Sequence, residues 1–132
     1  MPRIEKLKVG PWTAGNDIDY GPVVTKAAKE NILRLVERGV EQGAELVVDG
    51  RDFSLQGYEN GFFVGPHLFD RVTPDMDIYR TEIFGPVLST VRAASYEEAL
   101  KLAKSRAASP SRVKIAVPLP YSWLIARPMA SS

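Results

Sequence analysis

Residues 80–88, RTEIFGPVL, place an acid and an aromatic side chain two positions apart, ahead of an apolar run. Glu82 is crowded by apolar neighbours, so burying its carboxylate would be costly unless the group is paired. A carboxylate can accept two hydrogen bonds at once, which suits a vicinal diol such as a ribose, and Phe84 offers a flat apolar surface to a ring. The alternative is a structural acid bonded to backbone amides or to Arg80. From the residues alone, both roles stay open.

The other candidates for chemistry are few. His67, the single histidine, lies beside a Gly-Pro pair in an apolar run. It could act as a general base, but a structural place in a loop or at a strand edge is the simpler interpretation. Asp75 and Asp77 alternate in TPDMDIYR, and two carboxylates are too few for an oxygen-ligand metal site. We therefore expect solvated turn acids there and no metal.

The chain contains no cysteine. It therefore has neither a disulfide nor a thiolate ligand, and no thiol nucleophile. No serine stands in a motif that would activate it, and neither a GxxxxGK[ST] phosphate loop nor a GxGxxG between a strand and a helix is present. From this sequence we expect no catalytic residue in the chain.

Length and composition are those of one domain: 132 residues, of which 45% are hydrophobic. The 17 basic and 16 acidic residues are scattered along the chain, so nucleic acid and anionic membrane surfaces are not the obvious partners. No apolar run reaches the roughly 18 residues of a membrane span, and the first residues lack the apolar core of a signal peptide. We expect a soluble protein of the cytoplasm, or of the mitochondrial matrix in a eukaryote.

One helix is strongly indicated. Apolar residues recur on one helix face between residues 25 and 42, with charged residues elsewhere. Thr25 suits the N-cap and Gly43 the C-terminal stop. The residues before Thr25 are rich in turn formers and predict a loop. The predicted buried face is Ala28, Ile32, Leu35, Val36, Gly39 and Val40.

Strand patterns alternate with helical ones in the rest of the chain. AELVVDGR predicts a strand that ends in a turn, and residues 58–72 predict an edge strand or two short pieces because Pro66 interrupts them. Residues 86–93 predict a cleaner strand, followed by a helix opened by a capping box of Ser95 and Glu98. That helix should bury Tyr96, Ala99, Leu100 and Ala103. The fold class is α/β, with a small mostly parallel sheet flanked by helices.

The character of the chain changes after Lys104. A small, polar stretch is followed by an apolar end that Pro118, Pro120 and Pro128 interrupt. These prolines prevent a regular helix or a central strand. An apolar end of this kind normally needs another surface to cover it.

The motifs EIFGPVL and GYENGFFVGPHLF resemble the carboxyl-terminal part of the catalytic domain of the NAD(P)-dependent aldehyde dehydrogenase superfamily. The resemblance runs from about Lys6 to Lys104. GYENGFFVGP and the VPLP of residues 117–120 are similar to the methylmalonate-semialdehyde dehydrogenase branch, which is acylating and uses coenzyme A. The resemblance thus implies a partial catalytic domain in residues 1–106 and a divergent tail in residues 107–132.

The same resemblance implies that Glu82 binds the hydroxyls of the nicotinamide ribose and that Phe84 packs beside the nicotinamide. In the family, a cysteine thiolate attacks the aldehyde, a hydride passes to NAD, and coenzyme A releases the thioester in this branch. The implied parent is a homo-oligomer that oxidises a semialdehyde in valine and pyrimidine breakdown.

The chain departs from the family pattern in two places. The nucleophilic cysteine and the dinucleotide-binding half lie upstream of the matched region in the family, and neither is present here. The stretch that should follow Lys104 is also missing, which is typical of a truncated gene product with a deletion or frameshift near residues 107–112. We therefore expect an inactive fragment. The alternatives are a non-catalytic binding or subunit-interaction module, which could associate with full-length subunits, and a chain that is only marginally folded.

Overall fold

Helices and strands alternate along residues 3–105 and 113–116, which are the part of the chain that the computed structural model describes. The helices are α1 (Lys26–Glu41), α2 (Asp77–Arg80) and α3 (Tyr96–Ser105), and a 3-10 turn lies at Trp12–Ala14. The strands are β1 (Glu45–Val48), β2 (His67–Asp70), β3 (Val87–Arg92) and β4 (Val113–Ala116). None of the helices in this described part combines the length and the apolar composition needed to cross a membrane.

The four strands form one sheet in the order β1-β2-β3-β4. β2, β3 and β4 run parallel, and β1 is antiparallel to β2. The first residue of β2, His67, is paired in register with the first residue of β3, Val87. The predicted α/β class with a small, mostly parallel sheet is confirmed.

Helix α1 begins and ends as its sequence predicts. The Thr25 hydroxyl accepts a hydrogen bond of 3.0 Å from the Ala28 amide, and Gly43 takes a φ of 95°, which favours glycine. Its buried residues are Ile32, Leu35, Val36 and Gly39. Val40, which was expected on the buried face, is 38% exposed. The buried stripe is therefore narrower than the apolar periodicity predicted.

Strand β2 lies inside the sheet, between β1 and β3, so the predicted edge position for residues 58–72 is wrong. The strand begins directly after Pro66, and the proline therefore interrupts no ladder hydrogen bond. Phe69 at its centre is fully buried, and the core cluster around it includes Val36, Ile78 and Val91. The buried core thus lies between α1, α2 and the sheet.

Helix α3 has the predicted capping box, with one difference. The Ser95 hydroxyl accepts from the Glu98 amide at 3.2 Å, but the Glu98 carboxylate accepts from the Ala94 amide at 2.6 Å instead of reaching the cap residue. The predicted buried face is partly wrong: Ala99 is buried and Leu102 packs against the core. The other three predicted positions, Tyr96, Leu100 and Ala103, are exposed. The apolar face of α3 is broader than its contact with the described residues.

The described part of the tail is β4, which pairs with β3. No strand was predicted at Val113–Ala116, because the surrounding sequence is polar and lacks apolar alternation. The predictions for Pro118, Pro120 and Pro128 fall outside the described residues.

Candidate functional site

The segment that carries Glu82 and Phe84 joins α2 to β3, and we call Glu82–Pro86 the 82–86 loop. Its side chains differ in exposure and contacts. Glu82 is half-buried, Ile83 packs against the hydrophobic core, and Phe84 is 80% exposed. The loop therefore presents one acid and one aromatic side chain to solvent while the residue between them anchors it.

The Glu82 carboxylate makes no hydrogen bond or ion pair with the described residues. The predicted structural alternative would have bonded it to Arg80 or to backbone amides. Arg80 instead donates from Nε to the Pro74 carbonyl at 3.0 Å. Because Glu82 is partly open to water, its charge is solvated without a protein partner. The carboxylate is thus available to a ligand with hydroxyl donors.

The 82–86 loop is held at both ends by hydrogen bonds. On the β3 side, the Pro86 carbonyl accepts from the His67 amide at 2.8 Å. On the α2 side, Asp77 bonds to α1 twice. Its carboxylate accepts from Arg38 Nε at 3.2 Å, and its amide donates to Gln42 Oε1 at 2.8 Å. The flanking elements are therefore joined to the rest of the fold, and only the middle of the loop depends on packing.

His67 joins the site through its backbone and not through its ring. The side chain is 1% exposed, and neither ring nitrogen forms a hydrogen bond with the described residues. Burial lowers the pKa of His67. The Asp49 carboxylate and the Gly65 backbone act in the opposite direction and favour the charged ring, although the Gly65 backbone forms no hydrogen bond with it. A ring this buried cannot contact a substrate at the surface, so the structure favours a structural role. His67 opens an internal strand, which is neither the loop nor the strand edge that we expected.

Of the two alternating acids, Asp75 makes a local contact, whereas Asp77, the first residue of α2, pairs with α1. Asp75 accepts a hydrogen bond of 2.5 Å from the Thr73 hydroxyl, and Asp77 is paired with Arg38. The Thr73 bond lowers the pKa of Asp75. Across residues 3–105 and 113–116, no group of three or more potential metal-ligating side chains is brought together.

A shallow surface pocket lies away from this loop. It has a volume of about 320 Å³ and is formed between the amino-terminal segment, including Val9 and Ile18, and residues 55–58. None of the predicted site residues lines it. Its walls are mostly apolar and backbone, so it does not extend the site around Glu82.

The support for the middle of the 82–86 loop is not visible in the sequence. Gly85 packs against α1 so closely that a Cβ atom there would come within 2.5 Å of Ile32 Cδ1. The apolar periodicity indicated that Ile32 belongs to a buried stripe. Nothing in the spacing indicated that Ile32 and Gly85 meet.

Comparison with known proteins identifies the family. Residues 1–109 match the model of the Aldehyde dehydrogenase family. The chain belongs to the aldehyde dehydrogenase family. The proposed boundary between residues 106 and 107 stays a prediction.

Two relatives narrow the position of this aldehyde dehydrogenase chain within the family. It is 55% identical over 102 residues to malonate-semialdehyde dehydrogenase of Pseudomonas aeruginosa, an alignment that covers 77% of this chain and 20% of that protein. It is 48% identical over 101 residues to the acylating, mitochondrial methylmalonate-semialdehyde dehydrogenase of Arabidopsis thaliana, which covers 75% and 17%. The matched part of the chain thus spans about a fifth of the length of these relatives and is similar to malonate- and methylmalonate-semialdehyde dehydrogenases.

Solved structures show the same branch. A crystal structure from Sinorhizobium meliloti, assigned as a methylmalonate-semialdehyde dehydrogenase and complexed with NAD, has a TM-score of 0.77 and 57% identity. The match covers 88% of this chain and 23% of that one. The methylmalonate-semialdehyde dehydrogenase of Oceanimonas doudoroffii has a TM-score of 0.74 and 39% identity, with coverage of 88% and 23%. The aldehyde dehydrogenase fold of this segment is therefore shown by sequence and structure together.

Proposed function

We propose that this chain is a segment of an NAD-dependent, coenzyme A-acylating methylmalonate-semialdehyde dehydrogenase and that Glu82 and Phe84 bind the nicotinamide riboside part of NAD. The observation that carries the proposal is the half-buried Glu82 carboxylate, which has no partner among the described residues, on the same braced loop as the exposed Phe84. The similarity to a Sinorhizobium meliloti protein complexed with NAD supports the choice of ligand.

The two side chains fit the two parts of that ligand. The Glu82 oxygens accept hydrogen bonds from the vicinal hydroxyls of a ribose, which are strong because the acceptor is charged. Phe84 offers an apolar face to the nicotinamide ring. Bound NAD supplies the acceptor for a hydride. The contribution of this chain is orientation: it holds the ring in one place relative to the reacting aldehyde.

The chain alone is not a dehydrogenase in this proposal. It contains no cysteine, and the family reaction needs a thiolate nucleophile. The aldehyde, coenzyme A and a role in valine breakdown belong to the parent enzyme, which we infer to be a homo-oligomer. The Arabidopsis and Bos taurus relatives are named mitochondrial, and we infer the matrix for a eukaryotic parent and the cytoplasm for a bacterial one.

Titration of the purified 132-residue chain with NAD tests the site. We expect saturable binding that Glu82→Gln weakens by about tenfold, since losing a hydrogen bond to a charged group costs about 1.5 kcal/mol. Phe84→Ala should weaken binding by a few fold because it removes the apolar contact. Glu97→Gln, an exposed acid on α3, is the matched control and should bind like wild type. Wild-type affinity in the Glu82 variant would contradict the assignment.

A second candidate function is a non-catalytic module that associates with full-length subunits. The exposed apolar side chains favour it: Trp12 is 85% exposed, Val24 is 91% exposed and Phe84 is 80% exposed. In the relatives, some four fifths of the protein lies beyond the region matched here. A flat NAD titration together with co-elution with a full-length relative would favour this candidate over the nucleotide site.

A further inference from the structure

Within the part of the chain that the structure describes, the middle of the 82–86 loop, residues 83–85, forms no backbone hydrogen bond to α1 or to any residue more than two positions away along the chain. Within the described residues, its two backbone hydrogen bonds each join residues two positions apart. The Gly85 amide donates to the Ile83 carbonyl at 3.1 Å, and the Val87 amide donates to the Gly85 carbonyl at 2.9 Å. These bonds shape the turn but leave its position relative to the core undetermined. Side-chain packing must therefore set where Glu82 and Phe84 lie.

The closest packing is between Gly85 and Ile32 of α1. A Cβ atom built on Gly85 would lie 2.5 Å from Ile32 Cδ1 and 3.2 Å from Cγ1. Ile32 is 2% exposed and belongs to the hydrophobic core, so it has little room to move away. The φ of Gly85 lies outside the left-handed region. Glycine is needed here for close approach and not for its conformational freedom.

We propose that Ile32 is a positioning residue for the nucleotide site: its side chain fills the space against Gly85 and thereby sets where Glu82 and Phe84 meet the ligand. This inference rests on the proposed function of those two residues. Ile32 contacts no ligand itself. It links α1, whose place is set by core packing, to a loop that carries the binding groups.

The packing makes a compensating pair of substitutions possible. Gly85→Ala adds one methyl group where Ile32 Cδ1 stands, and Ile32→Val removes that same carbon while keeping the branched stem. The double variant therefore restores the packed volume, and volume-conserving changes are tolerated best in cores. If Ile32 positions the loop, the second substitution should rescue the first.

Gly61 supplies a matched control away from the loop. A Cβ atom there would lie 2.7 Å from Phe63 Cδ2 and Cε2, and Phe63 is 5% exposed. Gly61→Ala thus introduces a comparable clash whose nearest atoms belong to neither the 82–86 loop nor the two elements that flank it. It should lower the melting temperature as Gly85→Ala does and leave the binding loop unchanged.

Two measurements on the full 132-residue chain test the proposal. NAD titration should show about a tenfold weaker Kd for Gly85→Ala, recovery to within about threefold of wild type in Ile32→Val/Gly85→Ala, and an unchanged Kd for Gly61→Ala. Amide NMR spectra should show the loop signals of Glu82 and Ile83, which are not adjacent to the substituted residue, displaced in Gly85→Ala and returned in the double variant. A loop signal that does not move in Gly85→Ala, or does not return when Ile32 is shortened, would overturn the positioning role.

The two readouts separate this inference from the function it rests on. If the wild-type chain binds no NAD, the proposed function fails, while the NMR signals still decide whether Ile32 sets the loop. If Gly85→Ala does not fold, the double variant must fold and show the wild-type loop signals. A double variant that also fails to fold would overturn the proposal, because the clash with Cδ1 would then not be the cause.

Discussion

Glu82 and His67 are two titratable residues beside one loop, and the fold treats them in opposite ways. Glu82 keeps access to water and has no partner among the described residues, so a ligand can replace its solvent. The His67 ring is enclosed, and burial without hydrogen bonds favours its neutral form. Exposure, and not the presence of a titratable side chain, therefore separates the group that can bind a ligand from the group that supports the fold.

His67 should make stability depend on pH. Burial lowers its pKa in the folded chain below the ordinary value of 6.5, against the opposing Asp49 carboxylate, while Arg51 acts in the same direction as burial. As pH falls below 6.5, the unfolded chain binds a proton that the folded chain does not. The free energy of unfolding therefore decreases, by up to about 1.4 kcal/mol per pH unit, until the pH reaches the lowered pKa of the folded state.

Urea denaturation between pH 7.5 and 5.5 measures this effect. His67→Phe, which keeps a buried ring without a titrating group, should remove most of the slope. Arginine partners lower the pKa values of Asp49 and Asp70. These two carboxylates therefore change the free energy of unfolding only when the pH falls below about their ordinary pKa of 3.8. They therefore do not account for a slope in this range. The same slope in the variant and in wild type would count against a titrating His67.

Helix α1 connects the loop to the core at the scale of the elements. Its start is held by the Thr25 cap, its middle packs Ile32 on Gly85, and its end bonds through Arg38 to α2. The hydrogen bond with Asp77 raises the pKa of Arg38, and the hydrogen bond with Glu41 makes a smaller contribution in the same direction. The 82–86 loop and the α2 helix that precedes it thus both depend on contacts with α1.

The Thr25 cap should contribute measurably to the stability of the chain. Thr25→Ala removes the hydroxyl that accepts from the Ala28 amide, and the loss of a cap of this kind costs about 1 kcal/mol. Thr25→Ser keeps the oxygen and is the control. The midpoint of urea denaturation should fall in the alanine variant and stay near wild type in the serine variant. Equal midpoints for both variants would show that the cap is not stabilising.

At the scale of the whole molecule, the matched part of the chain covers about a fifth of the length of its relatives, 20% in the Pseudomonas aeruginosa protein. Its described residues form a continuous core, yet large apolar side chains such as Val24 and Leu100 remain open to solvent. Exposed apolar surface of this kind marks a place where another segment or subunit packs. The fold of the segment and the activity of the parent therefore have to be treated separately.

Purified chain should produce no NADH from propanal or methylmalonate semialdehyde in the presence of NAD and coenzyme A. The physical reason is the absence of a thiol, since the sequence contains no cysteine to form the covalent intermediate. The change in absorbance of NADH measures the reaction. The full-length Pseudomonas aeruginosa relative, assayed in parallel, is the positive control. Turnover that rises in proportion to the concentration of the chain would contradict this prediction.

The local features of this fold could be predicted from the sequence because they depend on neighbours along the chain. The Thr25 cap, the Gly43 stop and the Ser95–Glu98 capping box are local features. Each depends on residues that lie within three positions of one another or of the helix end. The α/β class followed from the alternation of helix and strand patterns. The choice of Glu82 and Phe84 came from their spacing and from the family resemblance, and their role in binding NAD stays a prediction.

Only the tertiary structure decided the features that depend on distant contacts. Periodicity shows that a face is apolar but not what covers it, so it placed Val40 and Leu100 inside when both are exposed. Strand order is likewise set by pairing across the sheet, which made β2 internal. The sequence by itself determined an acid and an aromatic side chain two positions apart; the fold left Glu82 without a partner among the described residues and brought Ile32 against Gly85. The physical reason is that close packing joins residues more than 50 positions apart, and no local pattern encodes such a contact.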